Sequence, residues 1–175
     1  FWAWTQLAQV HYARGEAAAR AGHAAAVRAE AEAIKTVREA TTFAGPMAEQ
    51  RAVFAELSQR ILEGRAAMIE GNAAAAVAAF TRAAQIQAME DEGGDPPIIW
   101  YPTRRSLAAA LLASGDASGA KAKIEELLKD WPSDPYSYFV LAEAEKALGN
   151  ANAAAEATRR SSIEWIGGER TLAAA

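Results

Sequence analysis

The chain has 175 residues, a formal net charge of −4 and 51% hydrophobic residues, enough apolar material for the core of one domain. The acidic balance offers no basic field to attract nucleic acid or an anionic membrane surface. With no cysteine there is no disulfide, thiolate nucleophile or Cys-ligated metal, and no apolar run approaches the roughly 20 residues that span a bilayer. The chain is therefore expected to be soluble, with cytoplasm and periplasm both open, and to carry no cofactor. It begins at Phe1 without a signal-peptide pattern, which suggests a processed chain or a piece of something longer.

Alanine supplies 47 of the residues while aromatics make up 8%, a balance that favours helices packed closely through small side chains. Four glycines followed by a polar residue punctuate the chain: Gly22-His23, Gly71-Asn72, Gly115-Asp116 and Gly149-Asn150. Each separates two stretches with helical spacing of apolar residues. A glycine takes the left-handed conformation at a helix C-terminus without Cβ strain, and an Asp or Asn after it can cap the next helix. Each is read as a tight turn between helices.

In chain order the periodicity predicts eight helices: Trp2 to Ala21, His23 to Ala40, Pro46 to Glu70, Asn72 to Glu90, Ile98 to Ser114, Asp116 to Lys129, Pro135 to Leu148 and Asn152 to Trp165. No strand pattern competes. Breakers separate the pairs: Gly45-Pro46, Gly93-Gly94-Asp95-Pro96-Pro97, and Pro132-Ser133-Asp134-Pro135, where Asp134 reads as an N-cap with Pro135 at the first helical position. The expected units are four helix hairpins, 1–45, 46–97, 98–133 and 134–168, followed by a tail, 169–175. The fold expected is all-α, a short superhelix of stacked hairpins.

The third hairpin carries the sharpest spacing. Leu107-Ala108 is followed by Gly115 seven residues after the alanine, then Ala120, the bulky Ile124 and Pro132. The fourth repeats this 34 residues on with Tyr138, Leu141-Ala142, Gly149 and Ala154, although Thr158 replaces the bulky residue and Ile166 the proline. The second matches at Gly64, Gly71, Ala76, Phe80 and Ala83 but has Glu63 where a leucine is usual, and the first retains Gly15, Gly22 and Val27. This pattern resembles the tetratricopeptide repeat, in which small residues sit where two helix axes cross closely and the bulky one fills the gap toward the next hairpin. The block from Asp95 to Leu107, with Trp100-Tyr101-Pro102, also resembles a segment that precedes a late repeat in uncharacterised bacterial tetratricopeptide proteins. That likeness implies a C-terminal piece of a larger protein and attaches no activity.

Chemistry-bearing residues are few. His11 and His23 lie on opposite sides of the first turn with no carboxylate at metal spacing, and read as a partly buried polar residue and a turn residue. Glu90, Asp91, Glu92 and Asp95 surround a double glycine without the spacing of an EF-hand loop, and read as a solvated connection. No nucleophile elbow, phosphate-cradling glycine loop or HExxH helix is present, so no enzymatic activity and no metal are expected.

The resemblance implies that the first helix of each hairpin lines a concave groove. The groove positions then fall at Tyr12, Glu16, Ile61, Arg65, Met68, Arg105, Leu112, Phe139, Glu143 and Lys146, with Arg104 beside them. Aromatics, methionine and both charge signs on one surface suit peptide recognition, and Arg105 and Lys146 are expected to meet a carboxylate of the partner. A plainer reading stands beside this one: Ile61, Leu112 and Phe139 are more often inter-helix packing, and Arg65, Arg105, Glu143 and Lys146 ordinary solvated residues. Trp100 and Tyr101 either staple the long loop to the second hairpin or form an aromatic hot spot beside Arg104 and Arg105. The favoured function is a non-catalytic scaffold for a protein or peptide partner. The alternatives are self-association, as a homodimer or on upstream repeats, for which the aromatic start Phe1, Trp2, Trp4 and Leu7 is suited, and a small-molecule pocket closed by Trp100 and Tyr101.

Overall fold

The computed structural model describes residues 3–41, 48–91, 99, 101–163 and 165–175, with the side chains of 3–5, 90 and 91 also left undescribed. The expectations for Phe1, Trp2, Trp100, the Gly45-Pro46 breaker and the acidic loop around Gly93-Gly94 lie outside the described residues, as does the side chain of Trp4. Among the described residues the chain is all-α, with no strand. The helices are α1 (Ala3–Arg20), α2 (Ala24–Ala40), α3 (Ala48–Ile69), α4 (Ala73–Asp91), α5 (Thr103–Ala113), α6 (Ala117–Asp130), α7 (Pro135–Ala147) and α8 (Ala151–Ser162), followed by a single 3-10 turn, Leu172–Ala174.

All four turn glycines are left-handed, with φ between 72° and 92°. Each turn closes with the same pair of backbone bonds. The glycine N–H reaches the carbonyl three residues back, and the following N–H reaches five back: Gly22 to Ala19 and His23 to Ala18, then likewise from Gly71-Asn72, Gly115-Asp116 and Gly149-Asn150, at 2.9 to 3.2 Å. This is the Schellman arrangement, which satisfies the last carbonyls of one helix while aiming the chain into the next.

The capping expectation holds at two of the four turns. Asn72 accepts from the Ala75 N–H at 3.1 Å and Asp116 from the Gly119 N–H at 2.8 Å. Asn150 instead donates its amide to the Glu145 carboxylate at 2.6 Å, and neither it nor His23 makes a side-chain cap. A charge-assisted bond to a buried carboxylate outweighs a neutral cap. Asp134 caps α7 as expected, accepting from the N–H groups of Tyr136 and Ser137, with Pro135 at the first helical position.

Two boundaries differ from the sequence reading. Helix α5 begins at Thr103 rather than Ile98, because Pro102 is its extended N-cap and a proline pushes the residue before it out of helical conformation. Helix α8 stops at Ser162 rather than Trp165. There the Ser161 carbonyl, which a helix continued to Trp165 would use, accepts from the Arg170 guanidinium instead, and Ile163 turns extended.

The chain forms two compact units, Phe1–Tyr101 and Pro102–Ala175. In the first, α1 packs on α2 and α3, α2 on α3, and α3 on α4; in the second, α5 packs on α6, α7 and the 3-10 turn, α6 on α7, and α7 on α8. Each unit is thus two stacked hairpins, in which every helix meets its neighbour and the first helices of successive hairpins also meet.

Small residues make this stacking possible. Seven residues before each turn glycine stands Gly15, Gly64, Ala108 or Ala142, all buried. Five residues after it stands Val27, Ala76, Ala120 or Ala154, none more than 4% exposed. The bulky fillers Phe80 and Ile124 follow four residues later, also fully buried. At Gly64 a Cβ would lie 2.6 Å from the Phe80 ring, which is itself enclosed, so the ring has no room to yield.

Gly64→Ala is therefore expected to destabilise the chain by about 1 to 3 kcal/mol, as overpacking of a close crossing does, although alanine is the better helix former. Gly168→Ala, with open space around the position, is the control. Equal urea midpoints for the two variants would show that the helices do not meet closely at Gly64.

Candidate functional site

In the first unit, three of the expected groove residues and Tyr101 come together. Arg65 on α3 is 4% exposed and donates to Glu16 of α1 at 3.4 Å and to the Tyr101 hydroxyl at 3.0 Å. Its guanidinium also lies over the rings of Tyr101 and Phe80, 5.4 and 5.9 Å from their centroids. Burial by itself opposes the positive charge, but Tyr101 and Glu16 more than reverse this and hold the Arg65 pKa above its usual value. Tyr12 sits against Phe54 edge to face, and burial raises its hydroxyl pKa far above the tyrosine range, with Tyr101 and Glu16 pushing the same way.

Ile61 is fully buried in the core with Leu57, Ala83, Ile86 and Tyr101, and Met68 is half-buried. Tyr101 is 1% exposed, its carbonyl accepting from Gln87 of α4 at 3.0 Å. It staples the chain after the loop onto α3 and α4, the first of its two readings. This cluster is an internally neutralised polar core that locks α1, α3 and α4.

In the second unit, two of the expected groove residues, Arg105 and Phe139, meet the chain's own final segment. The chain leaves α8, and its final segment runs back over the face made by α5 and α7. Arg105, 5% exposed, donates from Nε to the Ala175 carbonyl oxygen at 3.0 Å, and the Ser106 hydroxyl donates to the same oxygen at 2.8 Å. The Tyr136 hydroxyl donates to the Thr171 carbonyl at 2.9 Å and lies 3.0 Å from the Thr171 N–H, which donates to it. The Arg170 guanidinium lies over Phe139 at 5.6 Å and over Trp165 at 5.2 Å, and it donates to the Ser161 carbonyl. Trp165 and Phe139 each meet the Tyr136 ring edge to face.

Arg105 is positioned by more than this occupant. Asp134 takes its Nη1 at 2.9 and 3.1 Å while capping α7, and the Tyr136 ring lies 4.8 Å beneath the guanidinium. Lys146 is not beside it. Counting from the turn glycines, Lys146 matches Leu112, seven residues from Arg105 along the first-helix face, or about 10 Å. Lys146 instead pairs with Glu143 one turn away at 2.6 Å. Leu112 is half-buried, and Arg104 pairs with Asp130 of α6 at 2.7 Å.

Sequence reading did not find Ser106, Tyr136, Trp165, Arg170 or Ala175 as site residues. The available signal was Trp165, a basic residue and a small-residue run after the last periodic helix, although Ile166 beside that tryptophan is fully exposed. Elsewhere, His11 meets Glu30 of α2 and His23 is exposed, and no group of three or more His, Asp or Glu among the described residues is placed to hold a metal. No described helix is long and apolar enough to cross a membrane. No family model matches the chain, and no curated protein matches it either.

Glu145 ties the second unit together, bonded to Asn150 in the turn and to Lys121 of α6 at 2.9 Å. The Asn150 bond foremost, then Lys121, holds its carboxyl pKa below the usual glutamate value. Because the folded state takes up this proton later than the unfolded chain, the contribution is complete at neutral pH. It is lost as pH falls below the ordinary glutamate range, about 4.3. Glu145→Gln is expected to lower stability at pH 7 and to flatten the decline between about pH 5 and 3. An unchanged pH profile of urea midpoints would show that the carboxylate contributes nothing.

Proposed function

We propose that the chain is a non-catalytic helical-repeat scaffold of tetratricopeptide type, and that it holds a segment of a partner protein against the face formed by the first helices of its hairpins. The observation that carries this reading is the second unit's face, where expected groove residues Arg105 and Phe139 already hold a peptide segment, residues 170–175. Backbone oxygens that accept from fixed donors, together with a guanidinium stacked on rings, are how such surfaces take an extended chain. The repeated Schellman turns and small-residue crossings support the repeat assignment.

A second reading, self-association, draws on one observation in the first unit: Leu7 and Val10 on α1 are 36% and 43% exposed, one turn apart on the same helix. A homodimer or further repeats would cover them.

Panning a random peptide library against the chain separates the two. Enriched peptides are expected to lose at least tenfold in affinity to the double variant Phe139→Ala, Lys146→Glu, measured well below that variant's melting temperature with the parent's circular dichroism spectrum retained. Binding that ignores both substitutions would remove the face from consideration. In parallel, light scattering is expected to give a monomer. A dimer that Leu7→Ser, Val10→Ser dissociates would put self-association in its place.

A further inference from the structure

The segment on the second unit's face shows what chemistry that face selects. Thr171 is held through its backbone alone by the Tyr136 hydroxyl, and the Ala175 carbonyl oxygen accepts from both Arg105 and Ser106. These contacts read main chain, so another sequence can make them. Selectivity enters at two places. Arg170 needs the rings of Phe139 and Trp165, and Ala175 is 0% exposed, which leaves room there for a small residue only.

Between these anchors the segment is only partly buried. Thr171 and Ala174 are exposed, Leu172 and Ala173 are half-buried, and the only regular structure is one 3-10 turn. A stretch with so little burial opens locally at low cost. The donors do not depend on it, because Asp134 and the Tyr136 ring hold Arg105 in place.

Resting on the scaffold reading above, we propose that residues 170–175 are an exchangeable internal ligand. The partner they stand in for is a protein segment of the same chemistry: an arginine, then a short uncharged stretch ending in small residues, bound through its backbone. The internal segment competes with that partner at the effective concentration of a short tether, on the order of millimolar, so only a matching segment displaces it.

Thr171→Pro in the full chain is the variant that frees the face. Proline cannot take the φ of −130° found at Thr171 and lacks the N–H that Tyr136 accepts, while α5 to α8 are untouched. A fluorescein-labelled, amidated peptide of residues 169–175, Glu-Arg-Thr-Leu-Ala-Ala-Ala, is expected to bind this variant at least tenfold more tightly than the parent. Adding Tyr136→Phe or Ser106→Ala is expected to weaken that binding at least fivefold. Leu172→Asp, which puts a charge at a half-buried position of the segment, serves as a second opened form should Thr171→Pro not give the parent's circular dichroism spectrum.

A folded, opened variant that binds no peptide, or binds it regardless of Tyr136 and Ser106, overturns the proposal. A parent dimer that Thr171→Pro abolishes overturns it too, since the occupant would then be the same segment of a second copy. Panning the opened variant with the random library separates the two levels. Unrelated peptides that need Tyr136 leave the scaffold reading standing and overturn the ligand chemistry, whereas no enrichment overturns both.

Discussion

Each hairpin exists because two helix axes approach closely at a small residue, and the rest of the structure follows from that approach. Gly64 lets Phe80 of the second helix approach within its hairpin, Gly15 lets Leu62 of the next hairpin approach, and the matching positions Ala108, Ala142, Ala76, Ala120 and Ala154 are also small and buried. A larger side chain at either position would separate the helices and expose the fillers Phe80 and Ile124, which are buried only because the crossing is tight. The left-handed glycine between them fixes the distance along the chain. Its two backbone bonds set where the second helix starts, so the small residues meet rather than slide past one another.

Close packing through alanine leaves few large apolar side chains to hold successive hairpins together, and polar residues take part of that role. In the first unit Arg65 joins α1 to the chain beyond α4 through Glu16 and Tyr101. In the second, Glu145 of α7 joins α6 through Lys121, and Asp134 joins α5 through Arg105. Each buried charge faces an opposite charge, and Arg65 and Arg105 also lie over aromatic rings, the condition under which burying a charge is tolerated. The two units thus use their first-helix charges differently. Arg65 is enclosed with its partners, whereas Arg105 keeps one donor, Nε, for a backbone oxygen outside the hairpins.

That difference gives the two faces different contacts. The equivalent positions Tyr12, Ile61, Arg105 and Phe139 stand ten residues before their glycines. Ile61 is core and Tyr12 packs against Phe54, while Arg105 and Phe139 hold the returning segment. One repeat position therefore serves helix packing in one unit and contact with the chain's own returning segment in the other, because a repeat frame constrains its crossings and leaves its outer face free to vary.

Local rules made most of the fold legible from sequence. Glycine at a left-handed turn, Asp134 before Pro135, and small residues at fixed distances are each decided by a few neighbouring residues, and all three stand in the structure. Helix ends were less legible where a side chain had a rival partner, as at Asn150, or where a proline or a distant guanidinium set the boundary, as at Pro102 and at Ser161 with Arg170. The candidate site was legible only in outline. Periodicity places Arg105 and Phe139 on the first-helix face, but it does not say whether such a side chain meets solvent, core or chain. For Arg65 the answer depended on Tyr101, 36 residues away, and for Arg105 on Ala175, 70 residues away. No spacing rule connects residues so far apart across an irregular segment. Their meeting is set by how the whole unit closes, which only the tertiary structure decides.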